Sequence, residues 1–296
     1  MPQAPESDLK NKIAAALKDS ESELWFSPLT YDLVRSGLAK IYNETKISEA
    51  DYGTARIIFK NSSAECFRVE SINIPDECEE VANKIFVEIL PREIRGKYRK
   101  QEVEFFDRTE LLRNKEITDC LKNAFEIIRR VPGLFASVRL LIKSIHPIKL
   151  EDDDYDMSFS EPDIPFSVFI SVPRRNTLVN ALRVAEALVH EAMHLQLTLI
   201  ENLVPLIVPG GELIYSPWKE ELRTPQGIMH AIYVFKVIDC FYQKLIRDAV
   251  FELEEKNFLL ERRNEISQQI GETTCFRTCP DFTREGKMFV QRLMFL

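Results

Sequence analysis

The segment NTLVNALRVAEALVHEAMHLQLTLIEN, residues 176–202, decides how this chain is read. It contains no proline or glycine, and its apolar residues recur three and four apart, which predicts one long apolar helix. Inside it stands His190-Glu191-Ala192-Met193-His194, an HExxH string, in a chain with only four histidines: His146, His190, His194 and His230. Shuffled chains of this composition would carry such a string roughly once in two hundred. At 3.6 residues per turn, positions four apart point the same way, so both imidazoles can grip one metal ion from one rigid face.

The pattern on either side extends the reading. Upstream, residues 166–172 (FSVFISV) alternate and are β-rich, which predicts a strand feeding the helix. Downstream, Pro205, Pro209, Gly210 and Gly211 end it with a loop, and Pro225 opens another helix that passes through His230 to about residue 247. Helical periodicity also marks 9–17, 28–42, 79–90, 109–130 and 281–294, with a charged amphipathic stretch over 248–269. Residues 138–150 begin helical and become β-like near Ile145 and Ile148. The expectation is a mainly α (α+β) fold, bundle-like, with a small β element before the HExxH helix. A boundary falls best within 147–165. It divides a helical region 1–150, a candidate peptide-binding part, from a catalytic region 151–296, unless the two are one continuous domain.

Composition bounds the function. The chain has 296 residues, 45% hydrophobic and 29% charged, enough to bury one large core or two smaller ones. A net charge of −8 repels phosphate backbones, so nucleic acid is not expected as a partner. No run of apolar residues is long enough for a membrane span, and the first twelve residues have no apolar signal core, so a cytoplasmic location is expected. The six cysteines are dispersed without a CxxC pair and read as reduced thiols; Cys275 and Cys279 are four apart but nothing nearby completes a metal clip. The acidic run at 151–154 lacks the spacing and glycine of a calcium loop and reads as a solvated loop. The basic residues Arg92, Arg95, Lys97, Arg99 and Lys100 read as a solvated face, and His146 as a structural histidine.

Two histidines under-hold a metal, so a third ligand is required. The metzincin continuation would need glycine at 197 and histidine at 200; Leu197 and Ile200 stand there and exclude it. Glu201, Glu212, Glu220 and Glu221 remain as acidic candidates, and His230 as the histidine candidate, on a helix that an antiparallel return would bring back over the motif. Glu191 separates two chemistries. In a zinc peptidase it is the general base; in an oxygenase it is a neighbour that orients a ligand or touches substrate.

Residues 166–235 resemble the family of HExxH-motif peptide-modification proteins found with ribosomally made, post-translationally modified peptides. The resemblance is carried by Ala185-Glu186-Ala187-Leu188-Val189-His190-Glu191, His194-Leu195, Leu203-Val204-Pro205-Leu206, Tyr215-Ser216-Pro217-Trp218-Lys219 and Arg223-Thr224-Pro225-Gln226-Gly227-Ile228-Met229-His230, in that order. It implies an iron(II)- and 2-oxoglutarate-dependent oxygenase, unrelated to the jelly-roll oxygenases, that hydroxylates the β-carbon of a peptide side chain. By that likeness His190, His194 and His230 are the metal ligands, and Glu191 lies at the catalytic centre. Arg223 holds the far carboxylate of 2-oxoglutarate, with Lys219 and Tyr215 beside it, and the partners are a precursor peptide and dioxygen. Two positions depart from the pattern: Lys219 stands where an arginine is expected, and Ala231 where glycine follows the third histidine. The plainer reading of Arg223 is a helix-entry arginine paired with Glu220 or Glu221, and of Tyr215 and Trp218, loop packing. Two other functional classes stay open. One is a zinc metallopeptidase with His190, His194 and either His230 or Glu212 on the metal. The other is a non-catalytic helical interaction protein.

Overall fold

The computed structural model of the chain describes residues 6–45, 67–73, 84–90, 95, 98, 103–149, 156–161, 166–247 and 251–295. Cys66, Cys78, the acidic run 151–154 and the basic residues Arg92, Lys97, Arg99 and Lys100 lie outside the described residues. Helices dominate and a sheet accompanies them, so the fold is mainly α with a β part, as the periodicity predicts. The helices are α1 (Glu6–Lys18), α2 (Ser27–Thr45), α3 (Arg108–Arg113), α4 (Lys115–Arg129), α5 (Pro132–Leu141), α6 (Leu178–Glu201), α7 (Pro225–Arg247), α8 (Leu253–Glu272) and α9 (Arg284–Phe295). The strands are β1 (Phe67–Asn73), β2 (Lys84–Ile89), β3 (Glu104–Phe105), β4 (Ser144–Lys149), β5 (Ser158–Ser160), β6 (Ser167–Ser171), β7 (Ile214–Ser216) and β8 (Glu221–Arg223). No described helix is long and apolar enough to cross a membrane.

Contacts divide the chain into two compact units, Met1–Leu33 with Gln196–Leu296, and Val34–Leu195. The edges of this division fall within α2 and α6 rather than near residue 150.

The Val34–Leu195 unit is built on a six-stranded sheet of order β1-β2-β4-β6-β5, with β3 also paired to β4. The β part is thus larger than the single element expected before α6. β4 lies parallel to both β2 and β6, while β5 closes one edge antiparallel to β6. Strands covered on both faces need apolar residues throughout, and Ile145, Ile148, Val168, Phe169 and Ile170 are all buried. That requirement also explains one misread segment. Residues 79–90 were expected to be helical, yet 84–89 (KIFVEI) form β2 between β1 and β4, with Ile85, Val87 and Ile89 buried. A short apolar run fits either period, and long-range pairing decides it. The helix expected over 109–130 is likewise two helices. Asn114 ends α3, and its side chain then accepts from the Glu116 N–H to cap α4. α6 starts where the Thr177 hydroxyl accepts from the Asn180 N–H.

In the other unit, α7 begins at Pro225 as expected and buries Ile228, Met229, Ile232, Tyr233 and Val234. A polar network crosses its core. Tyr233 Oη donates to Gln196 Oε1 at 2.5 Å and reaches the Leu24 carbonyl at 3.0 Å. Gln196 Nε2 donates to the Trp25 carbonyl at 2.8 Å and to Thr30 Oγ1 at 2.7 Å. Every side-chain atom of the buried Gln196 amide able to bond is thereby used, which ties the last turn of α6 to α7 and to the start of α2. The loop after α6 is held by α9, where Gly286 packs directly on the Leu206 carbonyl.

Candidate functional site

α6 has one open stripe. Its apolar face buries Leu182, Ala185, Leu188, Val189, Ala192 and Met193. Residues 183, 187, 190 and 194 fall within about 60° of one another on the helix and remain partly exposed. His190 and His194 stand on this stripe with their Nε2 atoms 3.1 Å apart. The rings meet edge to face, with centroids 4.7 Å apart. Adjacent ligands held about 2.0–2.1 Å from a metal lie about 3.0–3.4 Å from each other, so this pair has the bite of two neighbouring metal ligands. The same separation also suits one N–H···N hydrogen bond between opposite tautomers.

Glu191 stands about 100° further round the helix. Its side chain is buried, with 3% of the residue exposed, and Oε1 accepts from Ser158 Oγ at 2.7 Å. The same oxygen is 4.0 Å from His190 Nε2. The edge strand β5 thereby fixes the carboxylate beside the first histidine. The sequence offers no cue for Ser158, a small polar residue in a three-residue strand.

His230, on the first turns of α7, meets Glu201 at the end of α6: Nε2 and Oε2 are 2.8 Å apart. Gln226 Nε2 donates to the same carboxylate oxygen at 2.9 Å. Both side chains of the His230–Glu201 pair are largely buried. Glu201 shares the helical phase of the two histidines but lies seven residues beyond His194, about 10 Å along the axis. That rise exceeds the reach of a glutamate, so Glu201 serves as a partner of His230 and not as a ligand beside His190 and His194. Among the described residues no three His, Cys, Asp or Glu side chains form a group that could hold a metal ion.

The three residues expected around the cosubstrate sit on the ribbon β7–β8 and its turn, and the ribbon does not bring them together. Ile214 pairs with Arg223 and Tyr215 with Leu222, so Arg223 and Tyr215 project from opposite faces. Arg223 is exposed and its Nη2 lies 2.5 Å from Glu221 Oε1. Tyr215 is 53% exposed, beside the exposed Leu222, and Lys219 lies exposed in the turn. Trp218 instead packs inward, its ring stacked on Phe235 at 5.2 Å. Its buried indole N–H meets no partner among the described residues.

His146 is where a structural histidine belongs. It is 1% exposed on β4, stacked on Phe169 of β6 at 4.7 Å. Nδ1 lies 3.3 Å from the Glu88 carbonyl and Nε2 3.5 Å from Ser144 Oγ. Burial pulls its pKa down to about 4, opposed by the bond to Glu88.

No family model matches the sequence, and no curated protein matches it. The family likeness given above therefore stands on residue order alone.

Proposed function

We propose that this protein is an iron(II)- and 2-oxoglutarate-dependent oxygenase that hydroxylates the β-carbon of a side chain in a ribosomally made peptide. The observation behind its metal chemistry is the His190–His194 pair, two imidazole nitrogens 3.1 Å apart on the partly exposed stripe of a helix whose apolar face is buried. The choice of oxygenase over other metal chemistry comes from the order of residues between 185 and 230. The resemblance would have His190, His194 and His230 hold the metal, a donor set suited to iron(II) as well as to zinc, although among the described residues only His190 and His194 stand as a pair and no group of three is formed.

Iron(II), bound with a 2-oxo acid, supplies the one-electron chemistry that dioxygen requires. The reaction balances as peptide C–H, dioxygen and 2-oxoglutarate going to peptide C–OH, succinate and carbon dioxide. One oxygen atom enters the alcohol and the other enters succinate. The chain's own share is to hold and orient. α6 fixes two ligands on a rigid element, and Glu201 accepts from His230. Ser158 holds Glu191 beside His190, where a buried carboxylate can steady the ring without having to carry a proton.

One observation keeps a second reading in play. The 4.0 Å between Glu191 Oε1 and His190 Nε2 also suits a base acting on water beside a zinc ion, the arrangement of a metallopeptidase. The deciding experiment purifies the chain without oxygen, adds iron(II), admits air and measures succinate formed from 2-oxoglutarate with and without peptide. The expected result is succinate that depends on His190. No turnover, together with a tightly held zinc that iron does not displace and peptide cleavage that disappears in Glu191→Gln, overturns it.

A further inference from the structure

The strand β5 ends the sheet of the Val34–Leu195 unit, and among the described residues no further strand pairs with its outer side. The register fixes which backbone groups face outward. Ser158, Phe159 and Ser160 lie opposite Ile170, Phe169 and Val168 of β6 in an antiparallel ladder. One residue earlier, the Ser171 N–H donates to the Met157 carbonyl at 2.8 Å, which marks Met157 and Ser171 as a hydrogen-bonded pair. Such pairs alternate along an antiparallel ladder, so Phe159 and Phe169 form the next one. The N–H and C=O groups of Ser158 and Ser160 therefore point away from β6.

Side chains pin β5 on both of its faces. Phe159 stacks on Phe169, with ring centroids 4.7 Å apart and planes within 4°. Ser158 turns the other way and donates to Glu191 of α6 at 2.7 Å, and the same carboxylate oxygen lies 4.0 Å from His190 Nε2. The result is a fixed edge beside the partly exposed histidine pair, with two outward donors and two outward acceptors at the spacing of a strand. An extended backbone matches that pattern. A second copy of the chain is poorly suited to it, because an edge of three residues is one that sheets use to avoid joining their own copies. A peptide needs only a few such bonds and takes the rest of its affinity from its side chains.

We infer that β5 is the docking edge for the peptide substrate: an extended peptide pairs with the outward N–H and C=O groups of Ser158 and Ser160, and the residue opposite Ser158 turns its side chain to the face that carries Glu191 and His190. This rests on the reading of the chain as one that acts on a peptide, which the oxygenase and the peptidase share. Directly opposed residues of paired strands hold their β-carbons about 4.5–5.5 Å apart and on one face. Ser158 then has two tasks. Its backbone holds the peptide and its hydroxyl holds Glu191, so one residue sets the position of both.

The test uses the full chain without metal and a fluorescein-labelled nonapeptide chosen from a random peptide array by its binding to that chain. Fluorescence polarisation measures the affinity of the parent nonapeptide and of variants N-methylated at each residue in turn. Pairing on one edge uses every second N–H of the peptide. Methylation at two positions two apart should therefore weaken binding about tenfold or more, while methylation at the residue between them leaves it unchanged. Hydrogen exchange read by mass spectrometry should show new protection in fragments covering residues 157–161. In Ser160→Pro, which removes an outward N–H and no bond to β6, affinity should fall about tenfold with the urea midpoint unchanged. Should Ser160→Pro unfold early, the methylation scan on the wild-type chain still decides. A loss without the two-residue period, protection confined to another part of the chain, an array that yields no binder, or full affinity in a folded Ser160→Pro overturns the assignment. A chain that sediments as a dimer and becomes a monomer in Ser160→Pro gives the edge to a second copy and overturns it too. The oxygenase reading is separable, because neither iron nor a 2-oxo acid enters these measurements. It falls with the succinate assay even where the peptide pairs with β5, and stands with that assay even where the peptide does not.

Discussion

The buried His146 makes the stability of the sheet depend on acid, and the size of the effect can be worked out. In the unfolded chain the imidazole titrates near 6.5; in the fold, burial against Phe169 holds it near 4. Between these two values the unfolded chain binds a proton that the folded chain refuses, so stability rises with pH across the window. The contribution is complete above about pH 6.5 and is lost progressively as pH falls toward 4. With 1.36 kcal/mol per pH unit as the limiting slope, the loss is about 2 kcal/mol at pH 5 and about 3 kcal/mol at pH 4. Carboxylates elsewhere also titrate there, so the measurement must be a difference. Urea unfolding of the wild type and of His146→Phe at pH 7.5, 6, 5 and 4 gives the two curves. The substitution carries a constant cost, because Ser144 Oγ and the Glu88 carbonyl lose a partner. The gap between the curves should nevertheless shrink by about 2 kcal/mol from pH 7.5 to pH 5. Parallel curves would refute the reasoning, because they would mean that the ring accepts its proton in the fold near the ordinary value. With only four histidines in the chain, the imidazole resonances offer a second check: one should not move above pH 5.

Two further substitutions probe the elements around the site. Ser158→Ala removes the hydroxyl that bonds the buried Glu191 at 2.7 Å and should cost about 1.5–3 kcal/mol in chemical unfolding; a loss below about 0.5 kcal/mol would show that the carboxylate does not depend on it. Gly286→Ala would place a Cβ 1.9 Å from the Leu206 carbonyl oxygen, backbone that cannot step aside easily because it also accepts from the Thr283 N–H at 3.0 Å. A loss of about 2–3 kcal/mol is expected in thermal or urea unfolding, and an unchanged midpoint would mean that α9 does not press on the loop.

What was legible in the sequence was whatever one element decides by itself. α6 could be read because its apolar repeat runs unbroken, and the His190–His194 pair because four residues make about one turn. The start of α7 was legible because proline fits a first helical turn and few other places. β2 was not, since KIFVEI fits a helix face as well as a strand until β1 and β4 pair with it from distant parts of the chain. The register of the ribbon was not legible for a related reason. Tyr215 and Arg223 look like companions in the order of the sequence, but strand register sends them to opposite faces. The Glu201–His230 bond joins residues 29 apart and had no local sign, although Glu201 was already among the acidic candidates.

The polar residues of α6 carry a signal that is recognisable only against the burial pattern. On a helix whose apolar residues are buried to the degree seen at Leu182, Leu188, Val189 and Met193, a polar side chain is costly wherever it is neither solvated nor paired. Gln196 is buried and spends its amide on Trp25, Thr30 and Tyr233. Glu191 is buried and accepts from Ser158. Arg183 turns to Asp156 and Asn180. None of these partners is local enough to be read from the helix alone, except Asn180. His190 and His194 differ from all three: they meet each other on the partly exposed side of the helix, at the separation of two neighbouring metal ligands.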